Sequence, residues 1–348
     1  MRKTLALVAV LVLIATLAVA TGGCANTQTA GGGDAQDVIK IKFGHNQDTA
    51  SPQHVGALAF KERVEELSGG KIQVTIYPNM LLGQMREQAE QVQSGSIEMT
   101  KQPASVWSNF APAVQAFDIP FLFTNNDAMY EVVTGAVGQE ILNTFHDKGL
   151  MGLGYESGGL KNMTANFPIK SPADLKGKKM RVMPAPILIE TYRALGANPT
   201  PVEYGELYNA LQQGVVDGQE NPLQTITMLK LWEVQRHLTL TQNGPMLYIT
   251  AANKAWFESL APELQQNIRD AMAYADEVEW ADLAQNEASY LQQVEENGME
   301  VYYPTAEELQ SFRAATQSVV EFVADKAGQD IVDKLVAAAA EANKKYEQ

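Results

Sequence analysis

From Val38 onward the chain alternates short strand patterns with helical patterns, and glycine or proline punctuates each one. That alternation restricts the fold more than any other feature. Val38-Ile39-Lys40-Ile41-Lys42-Phe43 alternates apolar and polar residues and reads as a strand. Val55, Leu58, Ala59, Val64 and Leu67 recur with a helical period, which predicts a helix over 53–67. Ser68-Gly69-Gly70 closes it, as glycine does just past a C-cap. Ile72 to Tyr77 alternates again and stops at Pro78-Asn79. A helix over 84–94 ends at Gly95, and Ile97 to Thr100 is a further short strand. A strand–helix–strand–helix–strand series implies a parallel sheet with right-handed crossovers. Beyond it the patterns predict a strand at 180–183, helices at 186–195 and 205–213, and a short strand starting at Val215-Val216-Asp217. A largely helical stretch follows over 251–286 with Pro262 at a helix start, then a late strand at 299–303 and an alanine-rich helical end. No repeat of 20 to 50 residues interrupts the series. The chain offers two α/β lobes with several crossings between them.

The first 36 residues carry a different signal. Arg2 and Lys3 precede Leu5 to Ala20, which is apolar except for Thr16. A run of sixteen residues falls short of the ~20 that span a bilayer, and the flanks suit a secretory signal. Thr21-Gly22-Gly23-Cys24 then places small residues before the only cysteine, resembling a bacterial lipoprotein cleavage box in which the cysteine is lipidated. Thr21 stands where such boxes usually have leucine, and cleavage after Ala18-Val19-Ala20 is the simpler alternative. Residues 1–23 are expected to be the signal and 24–36 a small, polar, flexible tether. The mature protein is then extracytoplasmic, at the periplasm or outer face of the cell membrane, with an N-terminal lipid as its membrane contact.

Composition and motif content exclude several functions. The net charge is −15, and losing Arg2 and Lys3 with the leader takes it to −17. Such a surface does not suit nucleic acid, which needs clustered Lys and Arg. A single cysteine and four scattered histidines (His45, His54, His146, His237) provide no disulfide framework and no metal cluster. Gly152-Leu153-Gly154 starts a dinucleotide-like pattern, but Ser157 stands where the third glycine belongs. Gly154-Tyr155-Glu156-Ser157-Gly158 is one residue too long for a nucleophile elbow. No phosphate loop occurs. The expectation is a non-enzymatic protein without cofactor or metal.

Two residues stand out at strand ends, where open α/β folds place ligands. In Lys178-Lys179-Met180-Arg181-Val182, alternation puts Met180 and Val182 on the core face and turns Arg181 away from it. A guanidinium there can hold a carboxylate through two parallel hydrogen bonds. The alternative is a solvated basic turn, since Lys176, Lys178 and Lys179 crowd the segment. Asn221, in Gly218-Gln219-Glu220-Asn221-Pro222, offers both donors and acceptors to a carboxylate or hydroxyl. Its alternative role is an Asn-Pro turn.

Three segments taken together resemble a known family. They are Leu175-Lys176-Gly177-Lys178-Lys179-Met180-Arg181-Val182, Gly196-Ala197-Asn198-Pro199-Thr200-Pro201, and the run from Glu206-Leu207-Tyr208-Asn209 through Gly214-Val215-Val216-Asp217 to Gly218-Gln219-Glu220-Asn221-Pro222. Their order and spacing resemble the solute-binding proteins of tripartite ATP-independent periplasmic (TRAP) transporters, DctP type. The likeness covers roughly residues 38 to 340. It implies an α/β, two-lobed periplasmic-binding-protein-like fold, with a ligand cleft between the lobes and a long helix crossing both. The expected division is 37–160 plus about 248–286 for lobe I, and 161–247 plus about 287–348 for lobe II. The implied function is capture of a small organic acid for a sodium-driven TRAP permease. Delivery to a sensor such as a receptor kinase, or an exported α/β enzyme, are the alternatives. By resemblance, Arg181 anchors the carboxylate, Asn221 is a second contact, Tyr204 lines the cleft after Pro-Thr-Pro, and Asn46 touches ligand at the end of the first strand. Lys161 replaces the arginine usual in a Gly-aromatic-Arg segment, keeping the charge but losing the fork. Pro103 occupies a loop in which sialic-acid-binding members present a carboxylate, which points away from an amino-sugar acid.

The leader reading has a direct check. Cys24→Ser should move the protein from the membrane fraction to the soluble fraction. An unchanged membrane fraction, with a free thiol in the parent, would rule the lipid out.

Overall fold

The computed structural model describes residues 38–347. The expected leader, Cys24 and the tether lie outside them. Ten strands occur among the described residues: β1 (Ile39–His45), β2 (Ile72–Tyr77), β3 (Met99–Pro103), β4 (Leu150–Ala165), β5 (Lys179–Val182), β6 (Asn198–Pro201), β7 (Gly218–Pro222), β8 (His237–Thr239), β9 (Pro245–Asn253) and β10 (Glu300–Tyr302). Their lateral order is β2-β1-β3-β9-β4-β7-β5-β6, with β8 on β4 and β10 on β8.

The first lobe follows the expected logic. β1 pairs in parallel with β2 (Ile39 opposite Ile72) and with β3 (Phe43 opposite Met99). Helix Pro52–Leu67 makes the first crossover. It is capped by Ser51, whose side chain accepts from the His54 amide, and has proline in its first turn. Its apolar face, with Ala57, Phe60 and Val64, packs with Ile41, Phe43, Val74, Ile268 and Met272 in one buried cluster. The second lobe repeats the parallel theme: β5 lies between β6 (Arg181 opposite Thr200) and β7 (Arg181 opposite Gln219).

The crossings depart from the sequence reading. β4 and β9 had no alternation to betray them, because nearly every residue of both is buried. β9 runs antiparallel to β3 on one side and to β4 on the other, so the sheet is mixed rather than parallel throughout. β4 pairs with β9 over 150–160 and then with β7 over 161–165, and so serves both lobes. The ladder is irregular between Ser157 and Leu160, where Gly159 takes φ +93°. A side chain is strained in that conformation, so glycine is required where the strand passes between lobes.

Other boundaries moved. Residues 218–222 form a strand instead of following one that starts at Val215, because their backbone is held by β4 (Asn162 opposite Asn221). Residues 251–253 end β9 rather than opening a helix. The third strand runs to Pro103. The long helix is Pro262–Glu296, 35 residues and so about 50 Å. It packs on helix Pro52–Leu67, on β4 and on helix Leu223–Met228, and so spans both lobes. Gly56 permits the first of these approaches, since a Cβ there would stand 2.7 Å from Glu156 Oε1 and 2.9 Å from Glu279 Cβ. The C-terminal helix Gln329–Lys345 returns to the first lobe: Asn343 Nδ2 donates to Leu122 O at 2.9 Å, and its Oδ1 accepts from the Thr124 amide at 3.0 Å. Helix Ser318–Ala327 packs against Pro186–Ala194 of the second lobe.

Beneath the long helix the crossing is polar. Glu279 Oε2 accepts from the Ser157 amide at 3.0 Å, and its Oε1 accepts from Gln53 Nε2 at 3.0 Å. Gln53 also donates to Ser157 O at 2.7 Å, and Gln224 Nε2 donates to Gln53 Oε1 at 2.6 Å. Nearby, Lys101 pairs with Glu156 and donates to Gln53 O at 2.7 Å. Asp276 and Glu279 also feel the charge of Lys101 and that of Glu156. Burial raises the Glu156 pKa to about 7 despite Lys101, and burial, then the charge of Glu156, lifts Glu279 well above the usual carboxylate range. His45 and His54, 3.0 Å apart, are both pushed down by burial and by Lys101.

A carboxylate whose folded pKa is raised contributes stability fully below its unfolded pKa and loses it as pH rises through the folded value. Glu279→Gln removes that loss. The variant should therefore gain stability relative to the parent as pH rises from about 5 to about 8. Urea denaturation at both pH values measures it. A constant difference would show that Glu279 keeps its charge when folded.

Candidate functional site

The two lobes meet along the C-terminal ends of β1 and β5. On the second-lobe side stands Arg181, 1% exposed and fully desolvated. The solvated-turn alternative fails there: Lys176 and Lys179 are exposed, while Arg181 is buried. Its Nε donates to Val202 O at 2.9 Å, the one hydrogen bond of this guanidinium among the described residues. Nη2 is buried without a partner. Burial lowers its pKa to about 10, partly offset by Glu220, Tyr204 and Glu203, so it remains charged at neutral pH.

Tyr204 sits beside Arg181 in the turn Tyr204–Glu206. Burial pushes its phenol up to about 12, and the nearby Gln47 side chain of the first lobe pulls it back. Gln47 Nε2 donates to the Tyr248 hydroxyl, which the Asn46 side chain also approaches. Burial holds the Tyr248 phenol far above its ordinary range, so it stays neutral. Asn46 Oδ1 and Gln47 Oε1 are buried with no partner. The interlobe contact thus joins Arg181 and Tyr204 on one side to Asn46, Gln47 and Tyr248 on the other.

Asn221 lies in β7 and is 2% exposed, so the Asn-Pro turn alternative fails. It donates to Gln219 Oε1, and Gln219 is the register partner of Arg181. Strand neighbours in register share a face, so Arg181, Gln219 and Asn221 lie together. Lys161 and Glu220 belong to the other face, with Met163 opposite Glu220.

Lys161 is accordingly not a free cation beside Arg181. Its Nζ is 3.1 Å from Glu220 Oε1 and 3.4 Å from Asp118 Oδ1, all three groups being buried. Burial opposes its charge, but Glu220 and Asp118 prevail and raise its pKa. Burial raises the Asp118 pKa, with Lys161 pulling the other way. Glu220 Oε2 also accepts from the Tyr192 hydroxyl at 3.1 Å and from Asn243 Nδ2. Four residues of this neighbourhood were not anticipated. Gln47 directly follows Asn46 and was within reach of a closer reading. Tyr248 sits in an unrecognised strand. Asp118 and Glu220 became visible only as partners of Lys161.

Comparison with known proteins gives a consistent result. The family described as DctP, bacterial extracellular solute-binding protein, family 7, matches residues 43–327. The C4-dicarboxylate-binding periplasmic protein DctP of Rhodobacter capsulatus is 32% identical over 308 residues, covering 87% of this chain and 92% of that protein. A TRAP periplasmic solute-binding protein of Shewanella oneidensis, solved with bound succinate, superposes with a TM-score of 0.83 at 30% identity over 87% of this chain and 99% of that one. The sugar acid binding protein DctPAm of Advenella mimigardefordensis, solved with galactonate, gives 0.84 at 32% identity over 88% and 99%. Its α/β fold, its two lobes meeting at Arg181 and these matches together place the chain in the DctP family of bacterial extracellular solute-binding proteins.

Proposed function

We propose that this chain captures a small organic acid outside the cytoplasm and hands it to a sodium-driven TRAP permease, with Cys24 carrying a lipid anchor. The observation that carries the reading is the buried Arg181 guanidinium, charged, with Nη2 unpartnered at the contact between lobes. A desolvated donor of this kind is costly unless a charged acceptor meets it, and a ligand carboxylate is such an acceptor. Asn221 and Gln219 lie on the same face, Tyr204 forms a wall, and Asn46 approaches from the first lobe. Lys161, tied to Asp118 of the first lobe and Glu220 of the second, helps to join the lobes rather than touching the ligand.

The mechanism is closure of the two lobes about the crossings at 157–161 and 245–248. The ligand favours the closed state because only there does it touch both sides. The lobes divide near 160 and 247, with the C-terminal helices bridging both. The permease then distinguishes the closed from the open form.

Calorimetric titration tests the anchor with an organic acid found by thermal-shift screening. Removing one partner of a buried charge pair costs roughly 2–5 kcal/mol. Arg181→Ala should therefore weaken binding about thirtyfold to several-thousandfold. Arg181→Lys should also bind poorly, since one ammonium cannot reproduce two parallel bonds. Binding within threefold of the parent for Arg181→Ala would remove the assignment.

A further inference from the structure

We infer that the cleft selects a hydroxylated monocarboxylate, an acid with one carboxylate and a hydroxyl-bearing chain, and discriminates against dicarboxylates. This rests on the reading of Arg181 as the carboxylate anchor.

The first argument is the supply of cations. Among the described residues, the three fully buried basic side chains are Arg181, Lys161 and Lys101. Lys161 is held between Asp118 and Glu220, at 3.4 and 3.1 Å. Lys101 is paired with Glu156 and donates to Gln53 O. Of the three, only Arg181 has a buried nitrogen with no partner at all, Nη2. One free guanidinium binds one carboxylate.

The second argument is what a second carboxylate would meet. Glu203 acts on Arg181, and Asp48 acts on Tyr204 across from it, so carboxyl groups already flank the site. Across the cleft, Asn46 Oδ1 and Gln47 Oε1 are buried acceptors without partners, and Gln47 Nε2 is already committed to the Tyr248 hydroxyl. An ionised carboxylate only accepts hydrogen bonds, so it would satisfy neither oxygen and would add charge repulsion. A hydroxyl donates as well as accepts. Hydroxyls on the ligand chain would satisfy Asn46 and Gln47 while the single carboxylate occupies Arg181.

The same electrostatics mark Asp118 as a positioning residue that acts through Lys161. It holds half of the charge that keeps Lys161 from acting on ligand. Neutralising it would leave Lys161 with one carboxylate partner, and the region more tolerant of a second ligand anion.

The test is calorimetric titration of the parent with matched probes. D-erythronate and succinate share a four-carbon chain, one with three hydroxyls and one carboxylate, the other with two carboxylates. L-malate, butyrate, D-galactonate and the neutral polyol erythritol complete the panel. The expected result is that erythronate or galactonate binds at least tenfold more tightly than succinate, malate and butyrate. A smaller margin, or tighter binding of a dicarboxylate, overturns the inference while the carboxylate reading stands. Erythritol binding as tightly as erythronate overturns the carboxylate reading instead. Absence of binding by every probe overturns both. In Asp118→Asn, succinate should gain at least threefold relative to the hydroxy acid that the parent binds most tightly. An unchanged ratio removes Asp118 from the account.

Discussion

The antiparallel pairing of β4 with β9 holds the rest of the molecule in place. β9 joins the parallel first-lobe strands through β3, and β4 continues past Gly159 into the second-lobe sheet through β7. Both strands are buried almost throughout, so their backbone groups must find partners in each other. The relative position of Arg181 and Asn46, on opposite sides of the interlobe contact, follows from this one ladder and from the long helix that spans it. Glycine at 159 is the local concession that lets a continuous strand serve two sheets.

Around that frame the protein distributes charge unevenly. Its net charge is −15, yet the buried interior near the lobe contact holds three cations and several carboxylates. Lys161 and Lys101 are answered internally by Asp118, Glu220 and Glu156. Arg181 receives a carbonyl and the longer-range influence of Glu220. A buried donor left unmade costs about 1–3 kcal/mol. Retaining such a donor opposes folding, and binding an anion relieves it. The acidic surroundings also make Arg181 a local positive focus in a negative field, which favours entry of an anion at that point only.

Much of this was legible in the sequence. The parallel first-lobe unit followed from period-2 and period-3.6 patterns with glycine stops, and the helices at 53–67, 84–94 and 186–195 stand within a residue of their expected bounds. Arg181 was singled out by strand alternation before any likeness to a family. Its near-total burial was not, because alternation gives a face and not what covers it. Lys179 shares that face and is exposed. The crossing strands were illegible for a physical reason: residues buried on both faces have no periodicity to display. Lys161 shows the limit on site residues. Its charge and position were readable, but its neutralisation depends on Asp118, 43 residues away in sequence, and on Glu220 across a strand pair.

The polar joint beneath the long helix fits the proposed closure of the lobes. An interdigitated apolar contact resists sliding, because small displacements forfeit dispersion contacts and open voids. Beneath the long helix part of the contact is instead made by Gln53, Gln224, Ser157 and Glu279, from one helix of each lobe, the crossing strand and the spanning helix. Glutamine carries two donors and an acceptor on a rotatable stem, so its partners can be exchanged as the lobes turn. Such a network fixes one arrangement while every group is satisfied and leaves another accessible when the partners change. On the proposed reading, ligand at Arg181 supplies the difference in contacts, and the joint lets that difference become a change of shape.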